Sequence, residues 1–409
     1  MSSPYAAMKI RDFRRFVSAR FCITLAIQIQ AVVVGWQVYE ITHDPLSLGL
    51  IGLAEAVPSI GVSLYAGHIA DILSRKRIIF VTAATLVFCS ASLLLLTIDV
   101  HTILVDYGVL PIYTVIFISG IARGFITPAV FSFMPQLIPR ELYQNAITWN
   151  STLWEMASIG GPPIGGLIYG FFGITAAYAV DASLLLIGLL LVISIPDRPL
   201  PPPTEEQGVV EKIKAGLQFV FSNKIILGAI SLDLFAVLFG GAVALLPIFA
   251  DQILHVGKIG LGFLRSAPGI GAMLLAVYIT YHPIRKRMGA ILLTAVAGFG
   301  LCMILFAFSS NFWLSMVILA LSGAFDSVSV IVRGTLLHTL TPENMKGRVS
   351  AVNNIFIGSS NEIGAFESGV AARLLGVIPS VIFGGIMTII VVTGTAWKAP
   401  ELRKLQNAH

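Results

Sequence analysis

Long apolar runs separated by short polar loops extend along the whole chain. A helix needs about 20 apolar residues to cross the hydrocarbon core of a bilayer. The runs are continuous, whereas a transmembrane barrel needs short alternating strands. The pattern therefore predicts an all-α polytopic membrane protein with twelve transmembrane helices. We expect the spans near 14–41, 46–70, 77–98, 109–134, 143–171, 174–195, 224–250, 258–282, 289–309, 312–338, 346–372 and 377–397.

One extended polar segment divides these runs into two sets of six. It begins with a proline-rich stretch, which is typical of a semi-rigid linker. It continues with the periodicity of an amphipathic helix on a membrane surface. We expect an N-terminal six-helix bundle over 1–195, a cytoplasmic linker with an amphipathic helix over 196–223, and a C-terminal six-helix bundle over 224–409.

Composition and charge agree with a membrane protein and argue against a nucleic-acid partner. Hydrophobic residues make up 56% of the chain and charged residues 11%, against about a quarter charged in soluble proteins. The net charge of +5 comes from cations that concentrate in alternate loops, the linker and both ends. That bias places both termini in the cytoplasm, in a multi-pass inner-membrane protein. The three cysteines have no metal-ligand spacing, and we expect no metal and no cofactor.

The two halves repeat each other in the same orientation. Two matched segments carry the repeat, each without a gap. The aligned positions are Pro58 with Pro268, residues 75–77 with 285–287, Gly120 with Gly323, and Asn150 with Asn353. Parallel six-span repeats indicate a transporter whose substrate site lies near the midplane between the halves.

The loop after the second span carries a recognisable signature. Gly67, Asp71, Arg75 and Lys76 match the pattern Gly-x-x-x-Asp-x-x-Gly-Arg-Lys/Arg, with Ser74 in place of the second glycine. On these residues the chain resembles the major facilitator superfamily over essentially its whole length. The resemblance implies the superfamily's twelve-helix fold, a monomer, and a loop that helps lock the outward-facing state.

A second motif resembles the superfamily's antiporter pattern Gly-Pro-x-x-Gly-Gly, with Gly161, Pro162, Gly165 and Gly166 in the fifth span. In the superfamily this pattern is associated with exporters, and its glycines also let helices pack closely. The proline-rich linker and residues 341–348 resemble the branch that contains the enterobactin exporter. That branch also includes proteins assigned to drug and lipid handling.

Ionisable residues inside spans are functional candidates because burying them in a bilayer is expensive. Arg123 has Asp326 as its repeat counterpart, and Glu55 has Arg265. If the halves are related by a two-fold axis, each pair can form a salt bridge, a proton relay or a gate. The alternatives are a purely structural ion pair for the first and two solvated span ends for the second.

Other ionisable residues lie in the fifth, sixth, seventh, tenth and eleventh spans. Glu155 and Glu362 are the first choices for proton-coupling carboxylates, with Asp233 and Asp181 after them. Asp181 is expected near a water-facing end. Arg333 is expected near the cytoplasmic end, where a long side chain can reach water.

Amides and tryptophans inside the first, fifth and eleventh spans are the predicted wall of a substrate cavity. These residues are Gln30, Trp36, Gln37, Asn150, Trp154, Asn353, Asn354 and Asn361.

These observations favour a secondary active transporter that works by alternating access and exports a small siderophore-like or drug-like molecule against protons. Import or uniport of a metal, a metal chelate or another solute is the alternative, and a membrane receptor or lipid-handling protein is a distant one. A primary pump is disfavoured because the sequence has no phosphate-binding loop. An enzyme is disfavoured because the seven histidines have no paired ligand spacing. The expected partners are the solute, the coupling ion and the bilayer.

Overall fold

The computed structural model describes residues 4–98, 103–198, 209–284, 286–342 and 345–405, and these ranges contain helices and connecting turns without a strand. Short helical turns such as Ile103–Tyr107 join the longer helices. We label the longer helices α1 Arg11–Thr42, α2 Pro45–Ile72, α3 Arg75–Ile98, α4 Leu110–Phe133, α5 Tyr143–Ile193, α6 Val209–Ser222, α7 Lys224–Phe239, α8 Gly257–Tyr281, α9 Met288–Phe308, α10 Phe312–Leu340, α11 Lys346–Leu375 and α12 Val377–Lys398.

The number of spans agrees with the predicted twelve. Within the described ranges, ten segments are long and apolar enough to cross a membrane. One of them contains α5, which holds two spans because Gly173 breaks it with a left-handed φ of 84°. The helix α11 is not among the ten, and it is the span whose sequence is unusually polar. Counting α5 twice and adding α11 gives the expected number.

The seventh span is discontinuous, whereas the sequence predicted one helix over 224–250. The helix α7 ends at Phe239, and a 3₁₀ turn over Ala242–Leu245 and a π turn over Phe249–Ile253 continue the path. Gly241 lies at the break, where a Cβ would stand 2.6 Å from Ser368 Oγ on α11. The break thus occurs where a glycine lets the backbone approach another helix closely.

The chain divides into two compact units. Unit 1 comprises Met1–His43, Ala54–Glu205 and Gly257–Ser266, and unit 2 comprises Asp44–Leu53, Glu206–Val256 and Ala267–His409. Neither unit is continuous in the sequence. The first turns of α2 belong to unit 2, and the first turns of α8 belong to unit 1.

Each unit repeats one close helix contact at equivalent positions. In unit 1 a Cβ on Gly120 would lie 2.6 Å from the carbonyl oxygen of Glu55 and 2.9 Å from Pro58 Cγ, so the glycine lets α4 pack closely against α2. In unit 2 Gly323 of α10 meets the backbone of Pro268 on α8 in the same way. Because the sequence aligned both glycines and both prolines, the contacts agree with the parallel repeat.

The helix α6 lies within the segment 196–223 that the sequence predicts as a linker. Its buried residue Val220 packs against Val349 and Val352 of α11 inside unit 2. Gly216 brings α6 close to α11, because a Cβ there would lie 2.8 Å from the carbonyl oxygen of Arg348. The linker helix is therefore a packed part of unit 2. The proline-rich residues 200–203 lie outside the described ranges.

Candidate functional site

An ion pair between Arg123 and Glu55 lies inside unit 1, where α4 crosses α2. Both side chains are partly buried. The pair forms because Gly120 and Gly124 let the helices approach, and a Cβ on Gly124 would lie 2.9 Å from the carbonyl oxygen of Ser59. The repeat had matched Arg123 with Asp326 and Glu55 with Arg265. The structure instead pairs Arg123 with Glu55.

Asp181 is fully buried in unit 1, which corrects the expectation that it lies near a water-facing end. Its Oδ2 accepts hydrogen bonds from Ser90 Oγ at 2.6 Å and from Gln30 Nε2 at 3.2 Å. Its Oδ1 has no hydrogen-bond partner among the described residues. Three helices, α1, α3 and α5, thus meet at a carboxyl group that only neutral donors contact.

The predicted cavity residues of α1 are also buried within unit 1. Gln37 accepts a hydrogen bond from Tyr178 at 2.6 Å, and both side chains are at most 5% exposed. Trp36 is buried and contacts the ring of Tyr39. Gln30, Trp36 and Gln37 therefore form part of the interior of unit 1 in this structure. The sequence offered no signal for Ser90 or Tyr178 as their partners, because these lie on other helices.

A more accessible group of polar residues lies on α1 and on the first half of α5. Arg20 Nη1 donates a hydrogen bond to Asn150 Oδ1 at 2.5 Å. Trp154 follows Asn150 by four residues, which places both on one face of α5, and it is 42% exposed. Glu155 is exposed beside it. Of these, Arg20 was missed in the sequence, although it is a cation within the helix of the first span.

The antiporter-like motif forms two packing surfaces on α5. A Cβ on Gly161 would lie 2.5 Å from Gln28 Cβ, and one on Gly165 would lie 3.1 Å from Ile29 Cα, so both glycines seat α1. Gly166 faces α8, because a Cβ there would lie 2.7 Å from the carbonyl oxygen of Lys258. Pro162 also meets α8, since its carbonyl oxygen would lie 2.5 Å from a Cβ on Gly262.

Next to this contact, three polar side chains join the end of α1 to the start of α8 within unit 1. Lys258 Nζ lies 2.8 Å from Glu40 Oε1, and Tyr169 donates its hydroxyl to Glu40 Oε2 at 2.7 Å. Lys258 Nζ also stands 4.2 Å from the centre of the Tyr169 ring. Glu40 and Tyr169 were not singled out in the sequence. Their contact with Lys258 becomes apparent only in the tertiary structure, because the three residues lie on α1, α5 and α8.

The structure describes the side chains of only part of the loop signature. The surroundings of Gly67 and the side chain of Asp71 are outside what the structure describes in α2. Lys76 Nζ lies 3.1 Å from Oδ1 of Asp197, a residue that follows the end of α5. Arg75 begins α3, and its buried Nε has no hydrogen-bond partner among the described residues.

Unit 2 contains an ion pair between Asp233 of α7 and Arg333 of α10. Their side chains are only 6% and 4% exposed. This burial corrects the expectation that Arg333 reaches water at the end of its span. A buried carboxylate on the neighbouring helix balances the guanidinium charge instead.

Asp326 lies two turns before Arg333 on α10 and lines a narrow, mainly apolar cavity in unit 2. The cavity walls come from α7, α9 and α10, and include Val237, Phe299 and Ser329. In the part of unit 2 that the structure describes, no ion pair or hydrogen bond reaches the Asp326 carboxyl group. The hydroxyl of Ser329 is also buried without a partner there.

The polar helix α11 carries the remaining predicted residues. Glu362 lies beside the first turns of α2, where a Cβ on Gly52 would stand 3.4 Å from its Oε2. Asn353 Oδ1 is buried without a partner in the described ranges, and Asn361 donates to the carbonyl oxygen of Ile357 at 3.0 Å. The side chain of Asn354 is outside the described residues. Arg265, on α8, takes part in an interaction and is not a free charge.

A protein-family model matches almost the whole chain. The family model described as "Transmembrane secretion effector", a branch of the major facilitator superfamily, matches residues 2–408. The chain belongs to this family. Its twelve spans in two parallel repeats are therefore the superfamily's fold, and the resemblance that the motifs indicated is confirmed.

Among curated proteins the chain is similar to the enterobactin exporter EntS of several enteric bacteria. It is 26% identical to the protein of Shigella dysenteriae serotype 1 over 380 residues, which cover 93% of this chain and 89% of that one. It is 26% identical to the protein of Escherichia coli O1:K1 over 395 residues, which cover 96% and 93%.

Solved structures of other transporters share the fold. The transporter PepTSo of the POT family has a TM-score of 0.72 at 13% identity, covering 96% of this chain and 98% of that one. A D-xylose–proton symporter has a TM-score of 0.73 at 14% identity, covering 94% and 96%. At such identities these likenesses concern the architecture alone.

Proposed function

We propose that this protein exports a small siderophore-like or amphipathic molecule across the inner membrane by alternating access, driven by the entry of protons. Three observations support export: the secretion-effector family, the similarity to enterobactin exporters, and the antiporter-like motif of α5. The protein acts as a monomer, as the resemblance to the superfamily implies. Both termini face the cytoplasm, because the cations concentrate on that side.

The observation that carries proton coupling is the contrast between Asp326 and the paired acids. Glu55 and Asp233 each face an arginine, so their charges are balanced. Asp326 lies in an apolar cavity where the described residues supply neither a cation nor hydrogen-bond donors such as those that contact Asp181. Leaving a charge unbalanced inside a membrane is expensive, and binding a proton removes that charge. We therefore place Asp326 first among the coupling residues, ahead of Glu155 and Glu362.

The test uses everted membrane vesicles that contain the full-length protein. A proton gradient should drive accumulation of a catecholate siderophore, and a protonophore that collapses the gradient should abolish it. Asp326→Asn should remove gradient-driven accumulation while exchange of labelled for unlabelled solute continues, because exchange needs no net proton movement. Asp106→Asn, at an exposed position of the short helical turn Ile103–Tyr107, is the matched control and should behave as the wild type. Accumulation that persists after the gradient is collapsed would refute proton coupling. Full gradient-driven transport by Asp326→Asn would reassign the coupling residue, and Glu155→Gln and Glu362→Gln are the next variants.

A further inference from the structure

The cation Arg20 lies inside α1, and none of the described acidic residues pairs with it. It follows the first residue of the helix by nine positions, or about 14 Å along the axis at 1.5 Å per residue. In the described ranges its one polar contact is the neutral amide oxygen of Asn150. Two other arginines within spans, Arg123 and Arg333, each pair with a carboxylate. Arg20 differs from both, because an amide holds its guanidinium group and no described carboxylate balances its charge.

The guanidinium group of Arg20 has hydrogen-bond donors that the contact with Asn150 does not use. It carries five N–H donors in a planar fork, and the contact with Asn150 uses a single nitrogen, Nη1. A carboxylate or an ionised catechol can accept two such donors side by side, which makes the contact both strong and directional. Asn150 fixes the guanidinium group from one side, so the group is pre-oriented for a ligand.

The neighbouring residues on α5 suggest what the rest of the ligand looks like. Trp154 lies one turn after Asn150 on the same face and is partly exposed, so its ring can contact an aromatic or apolar body. Glu155 is the charged group next to it and would repel an anion placed further round the helix. The combination favours an acidic group at Arg20 and a flat, uncharged body towards Trp154.

We propose that Arg20 and Asn150 form an anion-binding subsite in unit 1 for the acidic group of the exported molecule. The inference rests on the proposed export function and narrows its substrate class to aromatic or amphipathic acids. An anion of this kind has a second natural source, the phosphate of a lipid headgroup. We assign the subsite to the transported solute, and the experiment distinguishes the solute from a lipid.

The experiment measures equilibrium binding to the purified full-length protein in nanodiscs of phosphatidylcholine, without a proton gradient. The probes are salicylate, which carries a carboxylate, and salicylamide, which has nearly the same shape and no charge. Wild-type protein should bind salicylate more tightly than salicylamide. Arg20→Gln should weaken salicylate binding at least tenfold and leave salicylamide binding unchanged. Arg20→Lys should retain part of the preference, because it keeps the charge and loses the planar fork.

Arg14→Gln is the matched control, since Arg14 is an exposed cation of the same helix whose contact is the carbonyl oxygen of Met8. It should bind both probes as the wild type does. Equal binding of the two probes by wild-type protein, or unchanged salicylate binding by a folded Arg20→Gln variant, would overturn the proposal. Nanodiscs that contain phosphatidylglycerol form the lipid arm. If that lipid raises the melting temperature in an Arg20-dependent way while salicylate binding ignores Arg20, the subsite serves lipid and the assignment to solute falls.

The result of the binding experiment does not depend on whether protons drive transport. Binding is measured without a gradient, so a protein that is not driven by protons can still show the Arg20 effect. Conversely, gradient-driven export of neutral molecules alone, with no difference between salicylate and salicylamide binding, would leave the export function standing and remove the anion subsite.

Discussion

At the scale of single residues, the buried ion pair between Asp233 and Arg333 is the contact whose loss should be felt most. Removing one partner of a buried pair leaves an uncompensated charge and typically costs about 3–5 kcal/mol. We expect Asp233→Asn to lower the melting temperature of the purified protein strongly. The double variant Asp233→Asn/Arg333→Gln should be less destabilised than the single one, because it buries no charge. A single variant as stable as the wild type would show that water reaches the pair.

The charged residues of the spans are visible in the sequence, whereas their partners differ from the predicted ones. Arg123 and Glu55 were both selected, yet each was matched with a repeat counterpart and not with the other. Arg333 was assigned to the aqueous end of its span although Asp233 was itself a candidate. The cost of burying a charge can be read from one helix. The identity of the partner depends on how neighbouring helices are rotated, and hydropathy does not contain that information.

At the scale of helices, the contact between α5 and α8 depends on an absent side chain. A Cβ on Gly166 would lie 2.7 Å from the carbonyl oxygen of Lys258, whereas Gly160 has nothing within 4 Å of such an atom. Overpacking a close contact usually costs about 1–3 kcal/mol. Gly166→Ala should therefore lower the melting temperature and Gly160→Ala should not. If both variants melt alike, the glycine is not needed for the contact that holds the start of α8.

The same element shows why the antiporter-like motif could be found but not understood from sequence. Its glycines and prolines predicted close packing, and the structure has it at Gly161, Gly165 and Gly166. That Gly161 and Gly165 would face α1 while Gly166 faces α8 could not be inferred, because adjacent residues point about 100° apart around a helix of 3.6 residues per turn. The direction of each face is set by tertiary packing.

At the scale of the whole molecule, the cation bias predicts the side of the membrane on which each loop lies. The exposed residues Asp106 and Arg140 flank α4 at its two ends. In a variant whose three native cysteines are replaced by alanine, Asp106→Cys should react with an impermeant maleimide in intact cells. Arg140→Cys should react only after the cells are permeabilised. The reverse labelling pattern would invert the proposed topology and with it the direction of export.

The sequence by itself determined the number of spans and their parallel repeat. It could do so because a bilayer requires runs of about 20 apolar residues and confines cations to the loops. It also aligned Gly120 with Gly323 and Pro58 with Pro268, and the structure brings one glycine and one proline of this set together in each unit. Only the tertiary structure decided that Gln30 and Gln37 are interior hydrogen-bonding groups, that Asp326 faces an apolar cavity, and that Arg20 contacts the amide of Asn150. These features depend on contacts between helices far apart in the chain, and the local pattern of each helix is compatible with several such partners.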